Sequence, residues 1–193
     1  ANLFMWWALD ETSGNVASDG SVNSYSGNLT NLGNFSTDSI SAPNSTGMLL
    51  NGPTDTITNE DTSLPVNGYT FTLWSKFNRG SEDTIQLEPE VSGTAGFIWA
   101  SGNAMFHRSA YHKLSGGSYV TTQSNVTLSA NTWYHVTTTY DGSDLRLYVD
   151  GSLASSNTAV SWATSAGNIK LTNPSVTTDS EVSHDELRIY NRA

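Results

Sequence analysis

From Tyr69 to Phe77 the chain reads YTFTLWSKF, and apolar and polar residues alternate along it. Tyr69, Phe71 and Leu73 fall on one side of an extended backbone; Thr70, Thr72, Trp74 and Lys76 fall on the other. A period of two belongs to a strand with one face buried and one face wet. The same period returns in Trp133–Tyr140, where Trp133, His135, Thr137 and Thr139 alternate with Tyr134, Val136, Thr138 and Tyr140. Leu145–Val149 and Ser152–Ser155 flank Asp150-Gly151, the dipeptide favoured in a type I′ hairpin turn. Shorter runs stand between turn signals at Leu3–Leu9, Val16–Ser18, Gly47–Asn51, Thr54–Thr58, Thr84–Leu87, Gly96–Ala100, Asn103–Ser109, Ser118–Asn125, Asn168–Thr172 and Glu186–Tyr190. Roughly a dozen short strands at this spacing, with no helical period, predict an all-β fold: an antiparallel two-sheet β-sandwich, or jelly roll. No linker or internal repeat divides the chain, so residues 1–193 read as a single domain.

Composition narrows the function classes. Thr, Ser and Asn make up 70 of the 193 residues and only 13% are charged, a balance common in extracellular β proteins. The absence of cysteine excludes disulfide scaffolds, thiolate metal sites and cysteine nucleophiles. A formal charge of −10 argues against nucleic acid as a partner, since that binding needs Lys and Arg on phosphates. No apolar run is long enough for a membrane span. The apolar opening, Ala1–Asp10, lacks the length and basic flank of a signal peptide, so the sequence is expected to be mature or excised from a longer chain.

Several segments then match one family in order. Trp7-Ala8-Leu9-Asp10-Glu11 with Gly14, Val16-Ala17 and Asp19 resembles its opening strand and turn. Tyr69–Lys76 resembles its central strand, and Thr132–Val136 (TWYHV) its W-x-H-V strand. Tyr140-Asp141-Gly142 with Leu145–Gly151 (LRLYVDG) is similar to its hairpin, and Asp185–Ala193 (DELRIYNRA) to its closing strand. Together these identify the chain as resembling laminin-G-like, concanavalin A-like lectin/glucanase jelly rolls. Residues from about 78 to 128 follow no pattern of that family.

The resemblance implies a non-catalytic carbohydrate-binding module attached to a larger secreted enzyme, bacterial and extracellular, with a polysaccharide or glycan as partner. It also implies a structural calcium between the early Asp loop and the closing D-E motif. Here those positions are Asp19 and Asp185, with Asn23 in the intervening loop. Hard cations take oxygen ligands of this kind.

The sugar site needs flat aromatics and polar groups together. Trp74 and Lys76 share one strand face and are expected on the concave sheet. Trp99 and Trp162 are further candidates for stacking, whereas Trp133 and one of Trp6 and Trp7 read as core, the adjacent pair facing opposite ways. His107, Arg108 and Tyr111 belong to the densest cationic and aromatic tract of an acidic chain, which suits an acidic glycan. His135 reads as a packed structural residue, and His184, next to Asp185, as solvent-exposed.

Catalysis is the weaker reading. A glycosidase needs two carboxylates facing one cleft, and no E-x-D-x-E strand occurs. Glu88-Pro89-Glu90 has the spacing, but Pro89 removes a ladder donor. His107, Arg108, Tyr111 and Lys113 supply the residue types of a lyase without its motifs. The alternatives to a binding module are an adhesion or protein-recognition domain and a small polysaccharide lyase or hydrolase.

Overall fold

The alternating segment Tyr69–Phe77 becomes the longest strand in the middle of a large sheet, and its odd-numbered residues face the core. The computed structural model describes residues 2–52, 54–60, 68–77, 97–101, 108–113, 119–123, 128–158, 169–172 and 181–193, with only the backbone of 97–101, 108–113, 119–123 and 172. Among these lie β1 (Leu3–Trp7), β2 (Val16–Ala17), β3 (Gly27–Thr30), α1 (Phe35–Asp38), β4 (Ser39–Ser41), β5 (Thr46–Leu50), β6 (Thr56–Asn59), β7 (Tyr69–Phe77) and β8 (Phe97–Ser101). They continue with β9 (Arg108–Lys113), β10 (Tyr119–Gln123), β11 (Tyr134–Tyr140), β12 (Leu145–Val149), β13 (Ser152–Asn157), β14 (Ile169–Thr172) and β15 (Val182–Tyr190). The all-β expectation holds; the run expected at Thr84–Leu87 lies outside the described residues.

All named pairings are antiparallel. The eight-stranded sheet runs β13-β12-β11-β7-β15-β5-β4, with β1 also on β15. A four-stranded sheet, β14-β6-β3-β2, shares one core with it: Trp7, Met48, Leu50, Tyr69, Phe71 and Tyr140 pack with Leu29, Ile57, Ile169 and Leu171. Strands β8 to β10 form a third, three-stranded sheet. No helix among the described residues is long and apolar enough to cross a membrane.

Local sequence explains the joints. Asp150 and Gly151 both take positive φ, 49° and 77°, as the type I′ turn between β12 and β13 requires. The single turn of α1, which the sequence pattern does not announce, is held by Asn34, whose side chain accepts from the backbone N–H of Ser36. Trp7 is fully buried, and its indole Nε1 donates to the Tyr25 carbonyl at 2.7 Å. Gly27 lies against the same ring: a Cβ there would sit 2.7 Å from Trp7 Cζ2 and 2.8 Å from Ile57 Cγ2.

Strand β15 changes phase. Val182 and His184 face inward at its start, Leu187 and Ile189 at its end, and the register shifts between Asp185 and Arg188. Glu186 sits in that bulge with φ 55°. The strand closes the chain onto β1, where Leu3 pairs with Tyr190 and the Asn191 N–H donates to the Asn2 carbonyl at 3.1 Å.

Candidate functional site

The face of the large sheet turned away from the core is the side of Thr70, Thr72, Trp74 and Lys76. Pairing extends it across the strands. Trp6, Arg188, Thr72, Thr137, Tyr148 and Leu153 are consecutive partners from β1 to β13, making one row. A second row joins Asp185, Trp74 and His135, and a third joins Leu49, Ser183 and Lys76.

Aromatic and polar groups meet in the middle of this face. The half-buried ring of Trp74 lies 5.1 Å from His135, tilted by 58°. His135 Nε2 is 2.7 Å from Thr72 Oγ1, which accepts from Thr137 Oγ1 at 2.9 Å. Burial, aided by the positive charge of Arg188 and opposed by Asp150, holds His135 below the ordinary histidine range. That shift favours the neutral ring, whose Nε2 shares a hydrogen bond with the Thr72 hydroxyl. Next along β7, the Lys76 ammonium sits 5.1 Å from the centre of the Trp133 ring. Trp6 faces the same side but is covered: Arg188 lies 5.0 Å over its ring, Gly20 abuts the ring closely, and its Nε1 donates to Glu186 Oε2 at 2.7 Å.

Trp74 and Lys76 are thus brought together, as their spacing implies. Trp133 and His135, read from sequence as packed structural residues, join them at the surface; the signal was the shared period of Trp133–Tyr140. On the small sheet Trp99 pairs with Ala110, Arg108 with Ser101, and Tyr111 with Ile98. Arg108 and Tyr111 therefore hold positions of opposite parity on β9, three residues apart. His107 and Trp162 lie outside the described residues.

The cation candidates occupy different environments. Asp19 is satisfied by the protein: Oδ1 accepts from the backbone N–H of Trp6 and Ser21, and Oδ2 from Ser21 Oγ and the Tyr25 N–H, all at 2.7–2.9 Å. Asn23 donates through Nδ2 to the Phe4 carbonyl at 2.8 Å, which ties the loop to β1. Asp185 is the opposite case. It is fully buried, and neither carboxylate oxygen accepts a hydrogen bond of normal geometry. Burial first, then the charges of Glu186 and Asp10, push its carboxyl up to about 7, partly offset by the backbone N–H groups of Asn44 and Glu186. His184, expected at the surface, is fully buried because the first half of β15 turns its even positions inward. Among the described residues no three His, Cys, Asp or Glu side chains converge as a metal cluster.

A family model described as the concanavalin A-like lectin/glucanases superfamily, of laminin G type, matches residues 51–193. No curated protein matches. Among solved structures, the botulinum neurotoxin serotype D binding domain superposes with a TM-score of 0.74 at 15% identity, over 99% of this chain and 48% of that one. The binding domain of botulinum neurotoxin DC in complex with SialylT gives 0.67 at 11% identity, over 95% and 48%. A Trypanosoma rangeli sialidase bound to a difluorinated 2-keto-3-deoxy-nononic acid gives 0.65 at 18% identity, over 99% and 30%. The chain spans about half the length of the toxin binding domains it matches. At these identities the likeness is one of fold.

Proposed function

The chain belongs to the concanavalin A-like lectin/glucanase superfamily, and on that premise we propose that it is a non-catalytic carbohydrate-binding module. It binds a polysaccharide on the outer face of the eight-stranded sheet. The observation that carries the reading is the cluster of Trp74, His135, Thr72 and Lys76, where an indole ring stands beside oriented hydroxyl, imidazole and ammonium groups. Sugar rings present an apolar C–H face to such an indole and hydroxyls to such neighbours. Binding domains and a sialidase among the structural neighbours support a glycan as partner. The module works within a larger secreted bacterial enzyme, where several weak sites on one polymer add by multivalency.

Calcium is proposed as its structural ion. The residues fit a hard cation at Asp185, whose buried carboxylate has two oxygens without hydrogen-bond partners, with the carboxylate of Asp10 in electrostatic reach. Asp185 and Asp10 would hold it, and the ion would supply charge neutralisation between the opening segment and the closing strand.

The module reading is tested by retardation in native gels cast with alginate, pectin, carrageenan, agarose, xylan or β-glucan. Wild-type protein is expected to be retarded by at least one polymer. Trp74→Ala should lose that retardation, as loss of one stacking ring removes about 1–3 kcal/mol, tenfold or more in affinity. Unaltered retardation of a folded Trp74→Ala protein would overturn the choice of face. No retardation by any polymer would favour the protein-recognition alternative.

A further inference from the structure

Beside Lys76 the outer face is not flat. A pocket of about 130 Å³ opens there, lined by Ile40, Leu49, Lys76, Asn131, Glu181 and Ser183. Its walls come from separate elements: Ile40 from β4, Leu49 from β5, Ser183 from β15 and Lys76 from β7. Leu49, Ser183 and Lys76 are consecutive partners in the third row of the face, so the pocket continues the surface that holds Trp74. Asn131 is fixed by the chain, with φ 56° and its N–H donating to the Phe77 carbonyl at 2.6 Å.

The lining has two characters. Ile40 and Leu49 are half-buried and apolar. Ser183 is only 2% exposed, Glu181 is exposed, and Lys76 brings the positive charge. Lys76 has no carboxylate partner among the described residues; its ammonium is held over Trp133 instead. A cation held over a ring, with no carboxylate salt bridge among the described residues, is available to an anionic group of a ligand. The volume is well below the several hundred Å³ usual for larger ligands, so the pocket suits a group no larger than a single sugar unit.

We infer that this pocket is a subsite for a single pyranose unit bearing an anionic substituent, a carboxylate or a sulfate. The ring's C–H face lies on Ile40 and Leu49. Its hydroxyls meet Ser183, Asn131 and Glu181, and its anion meets Lys76. The inference rests on the module reading and adds to it the substrate class, an acidic polysaccharide whose neighbouring units run over Trp74.

The test is isothermal titration with three oligosaccharides of equal length and backbone: one uronate-bearing, one sulfated, one neutral. Wild type is expected to prefer an anionic ligand over the neutral one by about tenfold or more. Lys76→Met keeps the aliphatic stem and should lose the preference for the anionic ligand over the neutral one, with circular dichroism showing that the variant is folded. The charged ligand that loses affinity on that substitution identifies the carboxylate or the sulfate as the group recognised. Trp74→Ala should weaken all three together. If Lys76→Met retains the wild-type preference while Trp74→Ala loses binding, the pocket inference falls and the face reading stands. If wild type binds the three equally, the pocket inference also falls. If Trp74→Ala binds as wild type does, the face reading itself falls.

Discussion

Truncation of Trp7 to alanine lowers the free energy of unfolding by about 3–5 kcal/mol, enough to leave a domain of ordinary stability largely unfolded on mild heating. The ring is fully buried at the junction of the two sheets, between β1 and the segment that enters β3. It carries a polar bond as well: Nε1 donates to the Tyr25 carbonyl at 2.7 Å. Trp7→Phe fills most of the volume and isolates that bond, with an expected loss of about 1–3 kcal/mol from the unpaired carbonyl together with the residual cavity. Gly27→Ala probes the same packing from the other side, since its Cβ would stand 2.7–2.8 Å from the ring and from Ile57. Overpacking there costs about 1–3 kcal/mol. The double variant Trp7→Phe/Gly27→Ala should be less damaged than the sum, because the smaller ring vacates space for the methyl group. Urea unfolding followed by fluorescence and circular dichroism measures all four proteins. Additive losses would show that ring and glycine do not share a constraint.

The second large effect concerns Asp185. With free calcium near a hundred times its Kd, mass action adds about 2.7 kcal/mol, or roughly 5–10 °C in Tm for a chain of this size. Asp185→Asn should abolish that increment. Asp19→Asn should keep it while lowering stability in both conditions, since Asp19 serves the Trp6, Ser21 and Tyr25 donors. Equal Tm values in calcium and in chelator would remove calcium from the description of this fold. Proton linkage in chelator has a definite sign. The Asp185 carboxyl is raised to about 7 in the folded chain, so the folded state holds its proton more tightly than the unfolded state does. The resulting stability is complete below the ordinary carboxylate range and is lost as pH rises through about 7. Asp185→Asn in chelator should flatten that decline, and calcium should mask it in the wild type.

Much of the architecture was legible because it follows from alternation. Tyr69–Ser75 and Tyr134–Tyr140 pair residue for residue, and parity along the two segments separates the core residues from Trp74, Lys76 and His135. Asp150-Gly151 specified its turn by the φ values it tolerates. The phase change in β15 was not legible. Nothing in DELRIY announces that Glu186 takes a left-handed conformation, and the phase change there leaves His184 facing inward. The two aspartates that the sequence offers as cation ligands, Asp19 and Asp185, have different surroundings in the fold. Asp19 takes its partners from backbone amides, which no side-chain pattern displays. His135 was assigned to packing because its motif gives its place on a strand but not the hydroxyl opposite, which the register with Thr72 and Thr137 supplies.

The antiparallel closure of β15 on β1 has a mechanical consequence. Asn2 and Asn191 are hydrogen-bonded neighbours, so tension applied through these two residues opens the β1–β15 ladder from one end, rung after rung. Loading a sheet as a zipper breaks single hydrogen bonds in sequence, whereas shear loads many at once. A polymer-bound module pulled through that end would therefore yield at low force. Extension would begin with the release of Leu3–Trp7, and Trp7 would leave the core as an early event of rupture.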